Sequence, residues 1–113
     1  MKYREAPLMS ERRLDEAREL GAKLARLRVA RKVRQVDAAS RAGLARSTAV
    51  LIEKGDPGRT LAQILRYLDA IAPGLTLLAL LEEGDPSLKA LTLAEATQRV
   101  RTLSSAELKK LDF

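Results

Sequence analysis

Arg46, Ser47 and Thr48 set a forked guanidinium and two hydroxyls side by side at the start of a short, apolar-striped segment. With no base beside them to activate a hydroxyl, groups of this kind recognise a surface through hydrogen bonds. A guanidinium can hold O6 and N7 of a guanine together, a contact worth roughly 1–3 kcal/mol of discrimination. A simple phosphate contact is the alternative use of Arg46. Leu51, one turn on, could meet a thymine methyl or pack into the protein's own core. No nucleophile or general base accompanies these residues. The chain has no His and no Cys, which removes the commonest zinc ligand and proton carrier together with any disulfide framework. Nor does the sequence hold a glycine-rich phosphate loop. An enzyme is therefore the weakest of the function classes, and neither metal nor cofactor is implied.

The elements that must position these residues lie between Gln35 and Gly55, QVDAASRAGLARSTAVLIEKG, which predicts two short helices joined at Gly43. Val36, Ala39 and Ala42 mark one buried stripe at spacings of three, and Ala49 with Ile52 marks the next. Small alanines let two helices cross closely, and Gly43 supplies the left-handed backbone of a tight turn. By pattern this is a helix-turn-helix unit. In such a unit the N-terminal end of the second helix enters the major groove, where Arg46 and Ser47 would meet base edges.

Ahead of it, Ser10 is an N-cap, with Glu11, Asp15 and Glu16 in early turns where carboxylates suit the helix dipole. Ala17, Leu20, Leu24, Leu27 and Ala30 or Arg31 continue at three- and four-residue spacing, predicting a helix of about twenty residues whose charged leading turns are solvated. Val33 should seal the next corner. Arg34 and Ala45 stand where helices start but cannot cap them, at a cost of roughly 1 kcal/mol for Ala45. Ser47 or Thr48 would compensate only by shifting the boundary. After Gly55, DPGRT reads as a turn. Thr60 three residues before Gln63 has capping-box spacing and opens a helix with Leu61, Ile64, Leu65, Leu68 and Ile71 on one face, ended by Pro73-Gly74. LTLLALL is too short for periodicity to separate helix from strand, but its composition favours helix.

A chain of 113 residues holds one compact domain with extensions, not two independent cores. The expected division is a flexible arm at 1–9, a main domain at 10–83 and a helical extension at 84–113. Thr92 with Glu95 and Ser104 with Glu107 are two further start signals in that extension. Leu91, Leu93, Ala94, Ala96, Val100, Leu103, Leu108 and Leu111 give it apolar faces, marginal alone, that dock on this chain or another. Charge is uneven within the net +6: residues 1–59 carry 15 Lys or Arg against 8 Asp or Glu, and residues 60–113 carry 6 against 7. The basic half contains the helix-turn-helix, as a phosphate-binding surface requires; a solvated basic face is the plain alternative. No apolar run approaches the ~20 residues of a membrane span, and the N-terminus lacks a signal-peptide core, so a cytoplasmic protein without membrane contact is expected.

From about Leu20 to Ile71 the chain resembles the helix-turn-helix domain of the Cro and phage-repressor class, the XRE family. Leu24, Leu27, Arg28, Gln35, Ala39, Gly43, Ile52, Glu53, Gly55 and the Leu-rich fourth helix carry the resemblance. It implies an all-α, five-helix, lambda-repressor-like domain, here with a long first helix and a C-terminal helical extension. The resemblance further implies that Arg46, Ser47, Thr48 and Leu51 sit on the reading surface and that Gln35 anchors the DNA backbone while bracing the recognition helix. By the same resemblance Arg28 pairs with Glu53, chiefly a structural role, and also faces phosphate. Lys54 and Arg59, by their place flanking the turn after the second helix, are expected as phosphate ligands, with a solvated cation as the equal alternative for each. Members of the class normally dimerise, so that two recognition helices sit about 34 Å apart on a pseudo-palindromic site. Leu75, Leu77, Leu78, Leu80 and Leu81 are the dimerisation candidates, with completion of the monomer core as the alternative.

The expected function is a sequence-specific, double-stranded-DNA-binding transcriptional repressor acting as a homodimer. Two others stay open. The Gly58-Arg59-Thr60 turn, the Leu-rich fourth helix and the basic-ended tail are loosely similar to antitoxins of the HipB kind, in which case the tail after Gly84 contacts a toxin protein. Alternatively the chain is an interaction module that has lost DNA binding, a reading favoured by the two missing caps and the apolar Val50 and Leu51.

Overall fold

A computed structural model of the chain describes residues 5–82 and 87–98, and all regular structure among them is helical. Helix α1 runs Glu11–Ala30, 20 residues, as the spacing predicts. The Ser10 hydroxyl accepts from Arg13 N at 3.2 Å, satisfying one of the amides that a helix start leaves orphaned. Its leading turns are solvated and laced by exposed pairs, Arg13–Glu16 and Asp15–Arg18, which contribute little in water. A 3-10 turn at Ala6–Leu8, containing Pro7, precedes them. Further along, Gly21, Leu24 and Leu27 turn inward. The helix closes by paired carbonyl caps: Lys32 N bonds Val29 O at 3.0 Å and Val33 N bonds Arg28 O at 3.1 Å. Lys32 takes φ 59° to do so, a left-handed backbone that costs a non-glycine residue about 1 kcal/mol.

Helix α2 (Gln35–Ala42) and helix α3 (Arg46–Lys54) follow, each ended by a left-handed glycine, Gly43 at φ 68° and Gly55 at φ 76°. Arg34 and Ala45 occupy the N-cap positions without a side-chain cap bond, and the boundaries do not shift to recruit Ser47 or Thr48. Ala49 and Ile52 are buried as expected. The stripe of α2 is corrected in one place: Ala38, Ala39 and Ala42 are buried, but Val36 is 42% exposed. At 100° per residue the three alanines share one arc and Val36 lies outside it, whereas Gln35 lies within it.

Helix α4 (Leu61–Ile71) opens with the complete capping box, Gln63 N to Thr60 Oγ1 at 3.1 Å and Thr60 N to Gln63 Oε1 at 3.0 Å. Its buried face is rotated from the expected one. Tyr67, Leu68 and Ile71 are buried and Ile64 packs against them, while Leu61 and Leu65 are exposed. The 64, 67, 68, 71 spacing is the regular helical stripe, and α4 turns it toward α2, against which it packs. Helix α5 (Leu77–Leu81) is capped by Thr76, whose hydroxyl accepts from Ala79 N at 3.0 Å.

Residues 87–98 form a further helix, α6. It passes straight through Thr92 and Glu95, so these are not a helix start; both side chains instead receive Arg26 of α1, Nη2 to Thr92 Oγ1 at 3.3 Å and Nη2 to Glu95 Oε1 at 2.8 Å. Leu88 at its beginning joins the core. Val100, Leu103, Leu108, Leu111 and the Ser104–Glu107 signal lie outside the described residues.

The core lies among α1 to α4, with α1 packed on α3 and α2 packed on both α3 and α4, around Leu24, Leu27, Ala38, Ile52, Tyr67 and Leu68. Helices α1 and α3 approach through glycine. A Cβ placed on Gly21 would lie 2.5 Å from Gly55 N and 2.7 Å from the carbonyl oxygens of Ile52 and Glu53. That contact sets the depth at which α3 sits on α1.

Candidate nucleic-acid interface

The turn at Gly43 and the inward anchors Ala49 and Ile52 fix which face of α3 looks outward. On that face Arg46, Ser47 and Lys54 are exposed, and Thr48, Val50 and Leu51 are half-buried. The outward residues at the start of α3 are the guanidinium and hydroxyl, and its last turn carries Lys54.

Behind this face a single carboxylate ties four helices together. Glu53 on α3 accepts Arg28 Nε at 2.6 Å and Arg28 Nη2 at 3.1 Å from α1, Gln35 Nε2 at 3.1 Å from α2, and the Tyr67 hydroxyl from α4. Arg28 also donates Nη1 to the Val33 carbonyl at 3.0 Å, holding the α1–α2 corner. The two charged side chains are largely withdrawn from water, 18% exposed for Arg28 and 9% for Glu53. The bond to Glu53 holds the Arg28 guanidinium in its charged form, raising its pKa against the opposing effect of burial. Burial, and then donation to Glu53, pushes the Tyr67 phenol well above its ordinary value of 10.0. This is a buried charge whose lone pairs are filled, the condition under which burying it is tolerable.

Arg28 and Gln35 therefore have their side chains turned onto Glu53, inside the bundle's edge. Arg59 sits in the turn after α3, with Nε on Asp56 Oδ2 at 3.1 Å, and is partly buried. Asp56 also accepts from Gly58 N at 3.4 Å, shaping the DPGRT turn. Among the five leucines expected at a dimer surface, Leu80 is fully buried and Leu75 and Leu77 pack against the core, while Leu78 is 72% and Leu81 46% exposed.

Two residues that position the site escape the sequence pattern. Tyr67 stands at a core position of α4 and carries the only polar atom on that stripe, a signal that it needs a buried acceptor. Arg66, beside it, donates Nε to the Ala42 carbonyl and Nη2 to the Gly43 carbonyl, each at 3.0 Å, and so ties down the end of α2 just before the turn. Nothing in the spacing of Arg66 points to a partner 23 residues away.

Among the described residues no group of three or more acidic, His or Cys side chains could hold a metal ion, and no helix is long and apolar enough to cross a membrane. No curated protein and no solved structure matches the chain. A family model described as a helix-turn-helix domain matches residues 19–81. The match takes in the inner part of α1, the α2–turn–α3 unit with the Glu53 network, and α4 and α5. Covering more than half of the sequence, it shows that the chain belongs to the helix-turn-helix domain family.

Proposed function

We propose that the protein is a sequence-specific DNA-binding regulator, a repressor that acts as a homodimer on a palindromic operator. The observation that carries this reading is the outward face of α3, where Arg46, Ser47 and Lys54 stand exposed on a helix fixed from behind by Glu53. A rigid helix with free donors at its N-terminal end is what reading a major groove demands. Arg46 bonds a guanine edge, Ser47 and Thr48 take neighbouring polar groups, and Leu51 meets a thymine methyl. Lys54, with Arg59 at the edge, neutralises phosphates, while Arg28 and Gln35 brace α3 through Glu53. Leu78 and Leu81 supply the exposed dimer surface on α5, with Leu75, Leu77 and Leu80 supporting it from the core side.

The test is binding to the DNA upstream of the protein's own gene, for the full chain and Arg46→Ala, across a salt series. Tight, salt-sensitive binding is expected, and Arg46→Ala should relax preference at one base position by roughly 1–3 kcal/mol. Binding no better than to random duplexes would overturn sequence reading. Sedimentation of Leu78→Glu with Leu81→Glu tests the dimer: the wild type should sediment as a dimer and the variant as a monomer. A second reading, an interaction module that no longer binds DNA, is favoured by the half-buried apolar Val50 and Leu51 on α3; it predicts partner binding with little salt dependence.

A further inference from the structure

An open trough of about 470 Å³ runs between the Ala6–Leu8 turn, the leading turns of α1 and the end of α5. Its apolar lining comes from Leu8 and Met9, from Ala17 and Leu20 of α1, and from Leu81 of α5. Leu8 is 66% and Leu81 46% exposed, so the protein's own core does not fill the space. Leu78 is 72% exposed and precedes Leu81 by one turn of α5, a spacing that puts both leucines on one side of the helix. The molecule therefore presents an apolar hollow and, next to its edge, an unburied leucine.

Charge and size together say what covers this surface. The chain carries +6 overall, and over most of its basic half a second copy would be repelled. Around the trough the balance differs: Arg13 and Lys23 stand with Glu16 and Glu19, two charges of each sign. A rim of mixed sign is self-complementary across a two-fold axis, where each charge on one copy can meet its opposite on the other. Helix α5 has five residues, about 8 Å of helix. Its two exposed leucines fall far short of the ~800 Å² that each partner of a stable dimer covers. The trough lengthens that surface from Arg13 to Lys23, about 15 Å along α1, and adds Leu8. Residues 5–18 precede the helix-turn-helix match at 19–81, so this extension lies outside the shared domain.

We propose that the trough seats a second copy of this chain, with Leu78 of each protomer entering the trough of the other between Leu8 and Leu81. The proposal deepens the homodimer of the reading above and rests on it. It assigns the Ala6–Leu8 turn and the first half of α1 to the dimer interface, beside α5. Because the two halves of such an interface are equivalent, every contact counts twice.

Full-length wild type and Leu8→Glu are compared by sedimentation over a concentration series, with circular dichroism to check the fold. The turn that carries Leu8 is held by backbone bonds, Leu8 N to Glu5 O at 2.9 Å and Met9 N to Ala6 O at 3.1 Å. Leu8→Glu should therefore keep wild-type helicity while weakening the dimer at least 10-fold. Cross-linking reads the seating directly. The chain has no Cys, so full-length Leu8→Cys and Leu78→Cys, mixed, allowed to exchange and mildly oxidised, should give the mixed disulfide-linked dimer in excess over either variant alone. A wild-type dimer that Leu8→Glu leaves intact, or one that gives no mixed cross-link, overturns the proposal. The α5 dimer would still stand in that case, provided Leu78→Glu with Leu81→Glu breaks it. A wild type that sediments as a monomer overturns the homodimer and this proposal together.

Discussion

At the residue scale the site depends on Glu53, because one carboxylate takes donors from α1, α2 and α4. Tyr67 is the donor whose removal is cleanest to interpret, since Phe keeps its ring in the core. Tyr67→Phe should cost about 1 kcal/mol in urea denaturation at neutral pH, with the other donors still on Glu53. Its pH dependence follows from the direction of the shift. The folded phenol ionises well above the unfolded value of 10.0, so the folded chain keeps a proton that the unfolded chain releases. The contribution is whole below pH 10 and is lost as pH rises toward the folded pKa. Between pH 9 and 11 the wild type should lose about 1 kcal/mol more stability than Tyr67→Phe. Parallel curves over that range would show that the hydroxyl is not held neutral.

At the element scale two backbone features set α3 in place. The approach of Gly21 to Gly55 leaves no space for a methyl group, so Gly21→Ala must separate α1 from α3. Although alanine is the better helix former by about 1 kcal/mol, the net effect should be a loss of about 2 kcal/mol. A stability equal to or above wild type would mean the two helices part freely. The start of α3 points the other way. Ala45 already has cap geometry, φ −64° and ψ 148°, but no acceptor. Ala45→Ser should therefore raise stability by about 1 kcal/mol, read as a higher midpoint in urea with unchanged m-value.

At the scale of the whole molecule, α6 extends the structure beyond the family match at residues 19–81. Its attachments include Leu88 in the core and Arg26 of α1, which reaches both Thr92 and Glu95. The half-exposed ion pair adds little, so the leucine carries the attachment. Leu88→Ala should cost about 2–3 kcal/mol, whereas Arg26→Ala should cost under about 1 kcal/mol. Equal losses in denaturation would assign the docking to the ion pair instead.

The sequence by itself determined the elements with strong local chemistry. Ser10, Thr60 and Thr76 cap helices because a hydroxyl finds its amide within one turn, Gly43 and Gly55 end helices because few other residues adopt their φ, and the helix-turn-helix follows from those stops and the alanine stripe. Arg28 with Glu53 was legible through resemblance. Tertiary structure decided whatever depends on a partner distant in sequence. Val36, Leu61 and Leu65 are apolar at nearly helical spacing, and only the crossing of α2 with α4 selects Ala38 and Tyr67 in their place. Thr92 and Glu95 have the spacing of a cap, but Arg26, more than sixty residues earlier, makes them a docking point. Arg66 and Gly21 likewise owe their roles to neighbours that short-range periodicity cannot contain. Local rules specify where a helix begins and ends; which face it buries is settled by the helix it meets.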